Sequence, residues 1–251
     1  MLSQLRHSLG KLRTSSRVFV DYWNGSLNVA YSQEGEDLIL KRILDPLDVG
    51  FYVDVGAFSP KWLSNTYTFY IKGWRGINID ARPGSMAHFA KIRPRDINLE
   101  LAISDCPGRL TYYMFDPPTL NGFSTQLSQA RATSAAARLL GTKDLITRSL
   151  AEVLDEHLPP SQQIDFLTVD VEGFDLQVLR SNDWSRFRPT LVLMEVSPGA
   201  AVADSLQSPA AQYMIEIGYE LYAKAVNTLI FKDRIQGVPS DGVSRKHAVP
   251  M

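Results

Sequence analysis

Residues 50–57 read Gly-Phe-Tyr-Val-Asp-Val-Gly-Ala. From Phe51 to Val55 the run is apolar except for Asp54, and Gly56 ends it. A short Val-rich run closed by a turn residue predicts a strand buried on both faces. The same reading applies to Gly76-Ile-Asn-Ile-Asp80, to residues 97–103 (Ile-Asn-Leu-Glu-Leu-Ala-Ile), to 164–169 (Ile-Asp-Phe-Leu-Thr-Val) and to 190–196. Residues 109–115 add a strand after the third. Residues 219–224 and 228–232 flank Val226-Asn227 and predict a closing antiparallel hairpin.

Helical patterns fall between these runs. Residues 34–44 place Leu38, Ile39 and Ile43 near one face, and 84–92 carry Met86, Phe89 and Ala90. Residues 150–158 follow Ser149-Leu-Ala-Glu152, the spacing of a capping box. A short helix is expected over 174–181, and Ser208-Pro209 opens another, with proline in its first turn. Strands alternating with helices imply an α/β fold, a mainly parallel sheet with helices on both faces. Residues 128–142, rich in Ala, Ser and Thr, read as a lid or helical insertion. The organisation expected is an N-terminal arm over 1–30, one domain over 31–233 and a loose tail over 234–251.

The composition narrows the function. The chain has 251 residues, and 26 Lys and Arg balance 27 Asp and Glu. This gives no global basic field, so nucleic acid is not the expected partner. One cysteine, Cys106, excludes an internal disulfide framework and a cysteine-based zinc site. The histidines at 7, 88, 157 and 247 have no metal-ligand spacing. No apolar run reaches the roughly 18 residues of a membrane span, and the basic first 17 residues lack the apolar core of a secretory signal. A cytoplasmic location is the expectation. The basic arm is read as a surface segment or as a contact to a membrane surface or partner, and as the extra contact of a homodimer.

Ligands of open α/β sheets bind outside the carboxyl ends of the strands. Here those ends carry acids or hydroxyls: Asp54 and Gly56, Asp80, Ser104 and Asp105, Asp170 and Glu172, Glu195 and Ser197. Asp80 ends the strand after Asp54, where a carboxylate takes a ribose diol. Gly56 is followed by Ala57-Phe58-Ser59-Pro60, so the full dinucleotide fingerprint is absent. That argues against NAD or FAD, whose pyrophosphate needs the glycine-rich approach. A nucleoside ligand without phosphates, such as S-adenosylmethionine, stays compatible.

Tyr31-Ser-Gln-Glu-Gly-Glu-Asp37, Gly50-Phe-Tyr-Val-Asp-Val-Gly-Ala57, Ser64-Asn-Thr66, Gly73-Trp-Arg-Gly-Ile-Asn-Ile-Asp80 and Ile164-Asp-Phe-Leu-Thr-Val-Asp-Val-Glu-Gly173 together resemble FkbM-type methyltransferases. The likeness spans about residues 31–232. It implies a class I, Rossmann-like methyltransferase fold, S-adenosylmethionine as cofactor, and O-methylation, often of a sugar hydroxyl. It places Asp54 and Gly56 at the methionine end, Asp80 with Ala81 at the ribose, and Ser104 or Asp105 by the adenine. Tyr31, Ser32 and Gln33 would close over the cofactor, and Asn65 would hold the cofactor or the helix start. The chain departs from the family in its single glycine after the first strand and in Thr168, where many members carry Lys.

Removing the proton from a hydroxyl needs a base or a metal. His88 is a candidate base because its helix follows Asp80, although packing also explains it. His157 has a structural reason, the negative end of a helix. Asp170, Glu172 and Glu195 are read as the reaction centre: Asp170 and Glu195, with Glu172 close by, could hold Mg²⁺, or Asp170 or Glu172 could act as a substrate clamp or general base, with pairing to Arg or Lys as the structural reading. Trp62, Tyr67, Tyr70, Tyr112, Tyr113 and Phe123 offer faces to a small-molecule or glycan acceptor, with core packing as the other reading. Asn121-Gly122-Phe123-Ser124 reads as a substrate loop and Asp116-Pro-Pro-Thr119 as a turn. The alternatives are a non-catalytic scaffold on the same fold and a nucleotide-sugar-modifying enzyme.

Overall fold

The computed structural model describes residues 20, 21, 24 and 26–235. The chain divides into two units, one ending at Ala30 and one beginning at Tyr31. The arm expected over 1–30 and the tail over 234–251 fall largely outside the described residues.

In the second unit the elements run α1 (Glu36–Ile43), β1 (Phe51–Val55), α2 (Tyr67–Ile71), β2 (Arg75–Asp80), α3 (Met86–Ile92), β3 (Ile97–Glu100), β4 (Ala102–Ile103) and β5 (Gly108–Asp116). A 3-10 turn (Pro118–Leu120), α4 (Thr125–Ala132), β6 (Arg138–Arg148), α5 (Leu150–His157), β7 (Phe166–Val169) and α6 (Asp175–Arg180) follow. The chain continues through β8 (Leu191–Glu195), α7 (Val202–Ser205), α8 (Pro209–Glu216), β9 (Tyr219–Lys224) and β10 (Thr228–Asp233).

Seven strands form one sheet in the order β3-β2-β1-β7-β8-β10-β9. β1 pairs in parallel with β2 on one side and β7 on the other, so the strand order reverses there. β10 runs antiparallel to both β8 and β9, which is the expected closing hairpin. This is the doubly wound, Rossmann-like α/β class, and its ligand crevice lies where the order reverses. Both faces are covered, as a central parallel sheet requires. Phe51, Val53 and Val55 join one apolar cluster, with Leu150, Val153, Leu154, Val178 and Met214 from α5, α6 and α8. Tyr52 turns the other way, among Leu40, Phe69, Trp74 and Phe166.

Two expectations need correction, and a third gains its place. Residues 97–103 are two strands, not one: β3 pairs with β2 in the main sheet, and β4 pairs with β6 in a second sheet ordered β4-β6-β5. Residues 109–115 do form a strand, but in that second sheet. Residues 128–142 are neither a loop lid nor wholly helical. They end α4 and begin an eleven-residue strand, β6. Most of β6 is exposed, so its sequence carries no period-two burial signal. By contrast, the capping box at Ser149 and Glu152 is present, and Ser208 accepts from the Ala211 N–H at the start of α8.

A buried ionic network ties β1 to β2 and α3. Arg93 is fully buried. Its Nε donates to Asp96 at 2.8 Å, Nη1 to Thr66 Oγ1 at 2.9 Å and Nη2 to the Tyr52 hydroxyl at 2.7 Å. Tyr52 in turn donates to Asp96 at 2.8 Å, and Thr66 donates to Asp54 at 2.8 Å. Removing one partner of such a pair strands the other charge out of water, at a cost of about 3–5 kcal/mol. Arg93→Met is therefore expected to lower the unfolding free energy by that amount, measured by urea denaturation of the full chain.

Candidate active site

The carboxyl ends of β1, β2, β7 and β8 open into one cleft of about 1030 Å³, counted out to its open mouth. Gly56 and Asp80 to Arg82 form one wall. Thr168 to Glu172 and Glu195 form the floor and the second wall. Gln33, Glu34 and Glu36 come from the segment entering α1, and Asn227 and Thr228 from the hairpin turn. Tyr112, Pro118, Thr119 and Asn121 to Phe123 reach over from the second sheet and its loop.

Local chemistry fixes these groups. Gly56 sits at φ 88°, and a Cβ there would stand 1.7 Å from the Asp170 carbonyl oxygen. The glycine is thus demanded by the close approach of the chain after β1 to the chain after β7, whatever else it does for a ligand. Asp80 is buried and accepts from the Phe58 N–H at 2.9 Å and the Arg82 N–H at 2.7 Å. Each carboxylate oxygen is oriented by one backbone donor and keeps lone-pair capacity for a ligand hydroxyl. Burial raises its pKa, and the Arg82 and Phe58 donors oppose that shift. Glu34 accepts both the backbone N–H and the side-chain amide of Asn227. Glu36 accepts from the Thr228 hydroxyl at 3.0 Å.

Asp170, Glu172 and Glu195 bring one oxygen each within 4.8 Å of one another. They do not stand alike. Glu172 is paired with Arg131 of α4, and its backbone takes the left-handed φ of 56° that non-glycine residues rarely adopt. Asp170 and Glu195 face each other across the ends of β7 and β8, with oxygens within 4.8 Å. Loss of bulk water raises both carboxyls, and neighbouring carboxylates add to it, Glu172 against Asp170 and Asp170 against Glu195. Asp170 remains open to solvent inside the cleft. Two acids so placed titrate as a pair, and each is held above the ordinary carboxyl range.

The other expected residues are placed as follows. Ala81 and Gln33 line the cleft. Asn65 also lines it and donates to Thr168 Oγ1 at 3.0 Å. The start of α2 is held instead by Ser64, which accepts from the Tyr67 N–H at 3.1 Å. Tyr31 and Ser32 sit behind the wall, where the Tyr31 N–H and the Ser32 hydroxyl both donate to buried Asp37. Asp54 lies beneath the cleft wall and accepts from Thr66; burial lifts its pKa to about 6, and Arg93 opposes that.

Ser104 and Asp105 are absent from the cleft lining, because the chain leaves the main sheet after Glu100 and they follow β4 of the second sheet. Glu100, opposite Asp80 in register, is the true third strand end and accepts from the Gly84 N–H. His88 is exposed on α3 and borders a separate small pocket with Trp62, Arg82 and Ser85, so it does not face the carboxylates. His157 closes α5 beside Glu156, as its helix-end reading has it. Among the aromatic candidates only Tyr112 and Phe123 line the cleft, their rings 5.0 Å apart.

Sequence reading missed Glu34, Glu36, Arg131 and Asn227. The first two lie inside the quoted 31–37 motif and Asn227 in the expected hairpin turn, so position could have found them; nothing in sequence marks Arg131.

A domain described as the Methyltransferase FkbM domain matches residues 54–221. The chain belongs to the FkbM methyltransferase family. The match runs from the end of β1 into β9 and so takes in every strand end of the cleft except that of the hairpin turn. No curated protein matches the chain. Among solved structures, a TehB-like SAM-dependent methyltransferase from Corynebacterium glutamicum is similar at 11% identity and a TM-score of 0.41, covering 88% of this chain and all of its own. No helix among the described residues is long and apolar enough to cross a membrane.

Asp175 opens α6 just behind the cleft floor. It is buried, its Oδ1 has no hydrogen-bond partner, and loss of water followed by repulsion from Asp170 raises its pKa to about 8. A carboxyl with a raised folded pKa binds more protons in the native than in the unfolded chain. Its contribution to stability therefore falls as pH rises from the ordinary value near 4 toward 8. Asp175→Asn removes that slope, so the melting temperature of the variant is expected to gain on the parent between pH 5 and 8. Parallel melting curves across this range test it.

Proposed function

We propose that this protein is an S-adenosylmethionine-dependent O-methyltransferase whose acceptor is a hydroxyl of a sugar or glycosylated metabolite. The observation that carries the reading is Asp80: a buried carboxylate at the end of β2, beside the strand-order reversal, aimed by two backbone donors at the cleft. Such a carboxylate takes the two hydroxyls of a ribose. The donor set suits this cofactor in charge as well. Glu34, Glu36, Asp80, Asp170, Glu172 and Glu195 line the cleft, against Arg82 as the basic residue among its lining. The Arg82 guanidinium donates to the Phe58 carbonyl and lies over the Phe58 ring. A sulfonium and an ammonium are welcome in such a field, and a pyrophosphate is not. That charge balance disfavours the nucleotide-sugar-modifying alternative.

The cofactor, when bound, supplies an electrophilic methyl group. This chain's residues do the rest. Asp80 fixes the nucleoside end, and Gln33, Glu34 and Asn65 border the segment leading to the reacting end. Phe123, half-buried at the cleft and backed by the buried Tyr112 ring, offers a face on which a sugar ring stacks. An acceptor hydroxyl that takes the methyl group would have to give up its proton. The Asp170–Glu195 pair accepts it, its raised affinity for a proton suiting a base that works near neutral pH. Positioning of the oxygen in line with the methyl carries much of the rate.

One observation favours a second reading of the same carboxylates. Their spacing within 4.8 Å suits a divalent ion such as Mg²⁺, with Asp170 and Glu195 as its ligands, since Arg131 engages Glu172. Activity that survives EDTA rejects it.

Calorimetric titration of the full chain with S-adenosylhomocysteine tests the main reading. Micromolar or tighter binding is expected, weakened at least about tenfold in Asp80→Ala, the loss of two charge-assisted bonds. With an acceptor in hand, Asp170→Asn and Glu195→Gln are expected to lower turnover by about 10²-fold or more while cofactor affinity holds. A protein that binds S-adenosylhomocysteine but transfers methyl to nothing would fit the scaffold alternative.

A further inference from the structure

Beside the cleft, α4 meets the core of the methyltransferase unit through an ionic contact. Arg131 of α4 pairs through Nη2 with Glu172 and donates through Nη1 to the Leu120 carbonyl at 2.8 Å. One guanidinium thus bridges two cleft walls, the loop after β7 and the loop after β5. Both walls are shaped to meet there. Gly122, on the second loop, exchanges backbone hydrogen bonds with Tyr113 at 2.9 and 3.2 Å, and a Cβ on it would stand 3.4 Å from the Glu172 Cβ. Leu127 of α4 fills the space above Gly173, where a Cβ would lie 2.4 Å from its Cδ1. The Phe123 and Phe174 rings close the seam at 5.7 Å. The uncommon backbone of Glu172 is what turns its carboxyl toward this seam.

We propose that Arg131 is a positioning residue for the methyl-transfer reaction, acting through Glu172: it cancels that carboxylate's charge at the cleft and ties the 117–124 loop to the loop after β7. The inference rests on the S-adenosylmethionine reading above. The contact does two separable things. Its charge offsets that of Glu172, the third carboxylate beside the facing pair of Asp170 and Glu195. Its planar fork, which a lysine lacks, holds the Leu120 carbonyl and Glu172 at once and so sets how far the acceptor loop stands from the floor.

The charge role can be read without knowing the acceptor. S-adenosylmethionine carries a sulfonium charge that S-adenosylhomocysteine lacks, so the ratio of their dissociation constants reports the field at the reacting end. In Arg131→Gln the released Glu172 carboxylate should favour S-adenosylmethionine over S-adenosylhomocysteine by about threefold or more relative to the parent. Glu172→Gln leaves Arg131 unopposed and should move the ratio the other way. The double variant should return near the parent value. Arg131→Lys keeps the charge and loses the fork, so its ratio should hold while amide hydrogen exchange over 117–124 quickens about tenfold.

A merely structural Arg131 would change melting temperature and exchange and leave the ratio untouched. A ratio unchanged within twofold in both Arg131→Gln and Glu172→Gln overturns the proposal. If Arg131→Gln does not fold, the direction of the Glu172→Gln shift decides alone. Failure of the parent protein to bind either ligand would instead reject the cofactor reading on which this inference stands.

Discussion

The contact between Gly56 and the Asp170 carbonyl governs the molecule. β1 is threaded between β2 and β7, and its exit is held from both sides. Gly56 and Ala57 donate to Ile79, and Asp170 donates back to Val55 at 3.0 Å. Only a residue without a Cβ lets the two chains pass so closely. Their approach brings the acids after β7 into the same crevice as the acid that ends β2. The cleft is a consequence of this packing at the strand-order reversal, and the chemistry is mounted on it.

Electrostatics then sort the carboxylates into roles by their partners. Asp54 is sunk below the wall in the Arg93, Thr66 and Tyr52 network, where it braces β1. Asp37 is buried under the segment leading into α1, which it holds through Tyr31, Ser32 and Thr68. Asp80 is aimed by backbone N–H groups. Glu172 is paired with Arg131, and Asp170 and Glu195 face each other, both raised above the ordinary carboxyl range. Residues of one chemical type are thus set in different surroundings, according to whether each meets a hydroxyl, a backbone donor, a guanidinium or another acid.

The sequence showed the parallel core well, because strands buried on both faces announce themselves as apolar runs such as Phe51–Val55. The hairpin and the capped α5 were legible for similar reasons, in the turn at Asn227 and the Ser149–Glu152 spacing. The second sheet was not. β6 is exposed along most of its length, and the break at Leu101 that moves the chain from one sheet to another leaves no mark in a run reading Ile-Asn-Leu-Glu-Leu-Ala-Ile. That hidden break displaced Ser104 and Asp105 from the cleft, where the third strand end was expected. Asp54 and His88 show the same limit: proximity to a strand end in sequence does not say toward which side of the sheet or helix a side chain turns. Arg131 was invisible because its partner lies 41 positions away.

The most direct test is a crystal structure of the full chain with S-adenosylhomocysteine. The account predicts the ligand in the cleft, its two ribose hydroxyls on the Asp80 carboxylate and its sulfur directed toward the Asp170–Glu195 pair. A ligand bound elsewhere, or one whose ribose leaves Asp80 untouched, would contradict it.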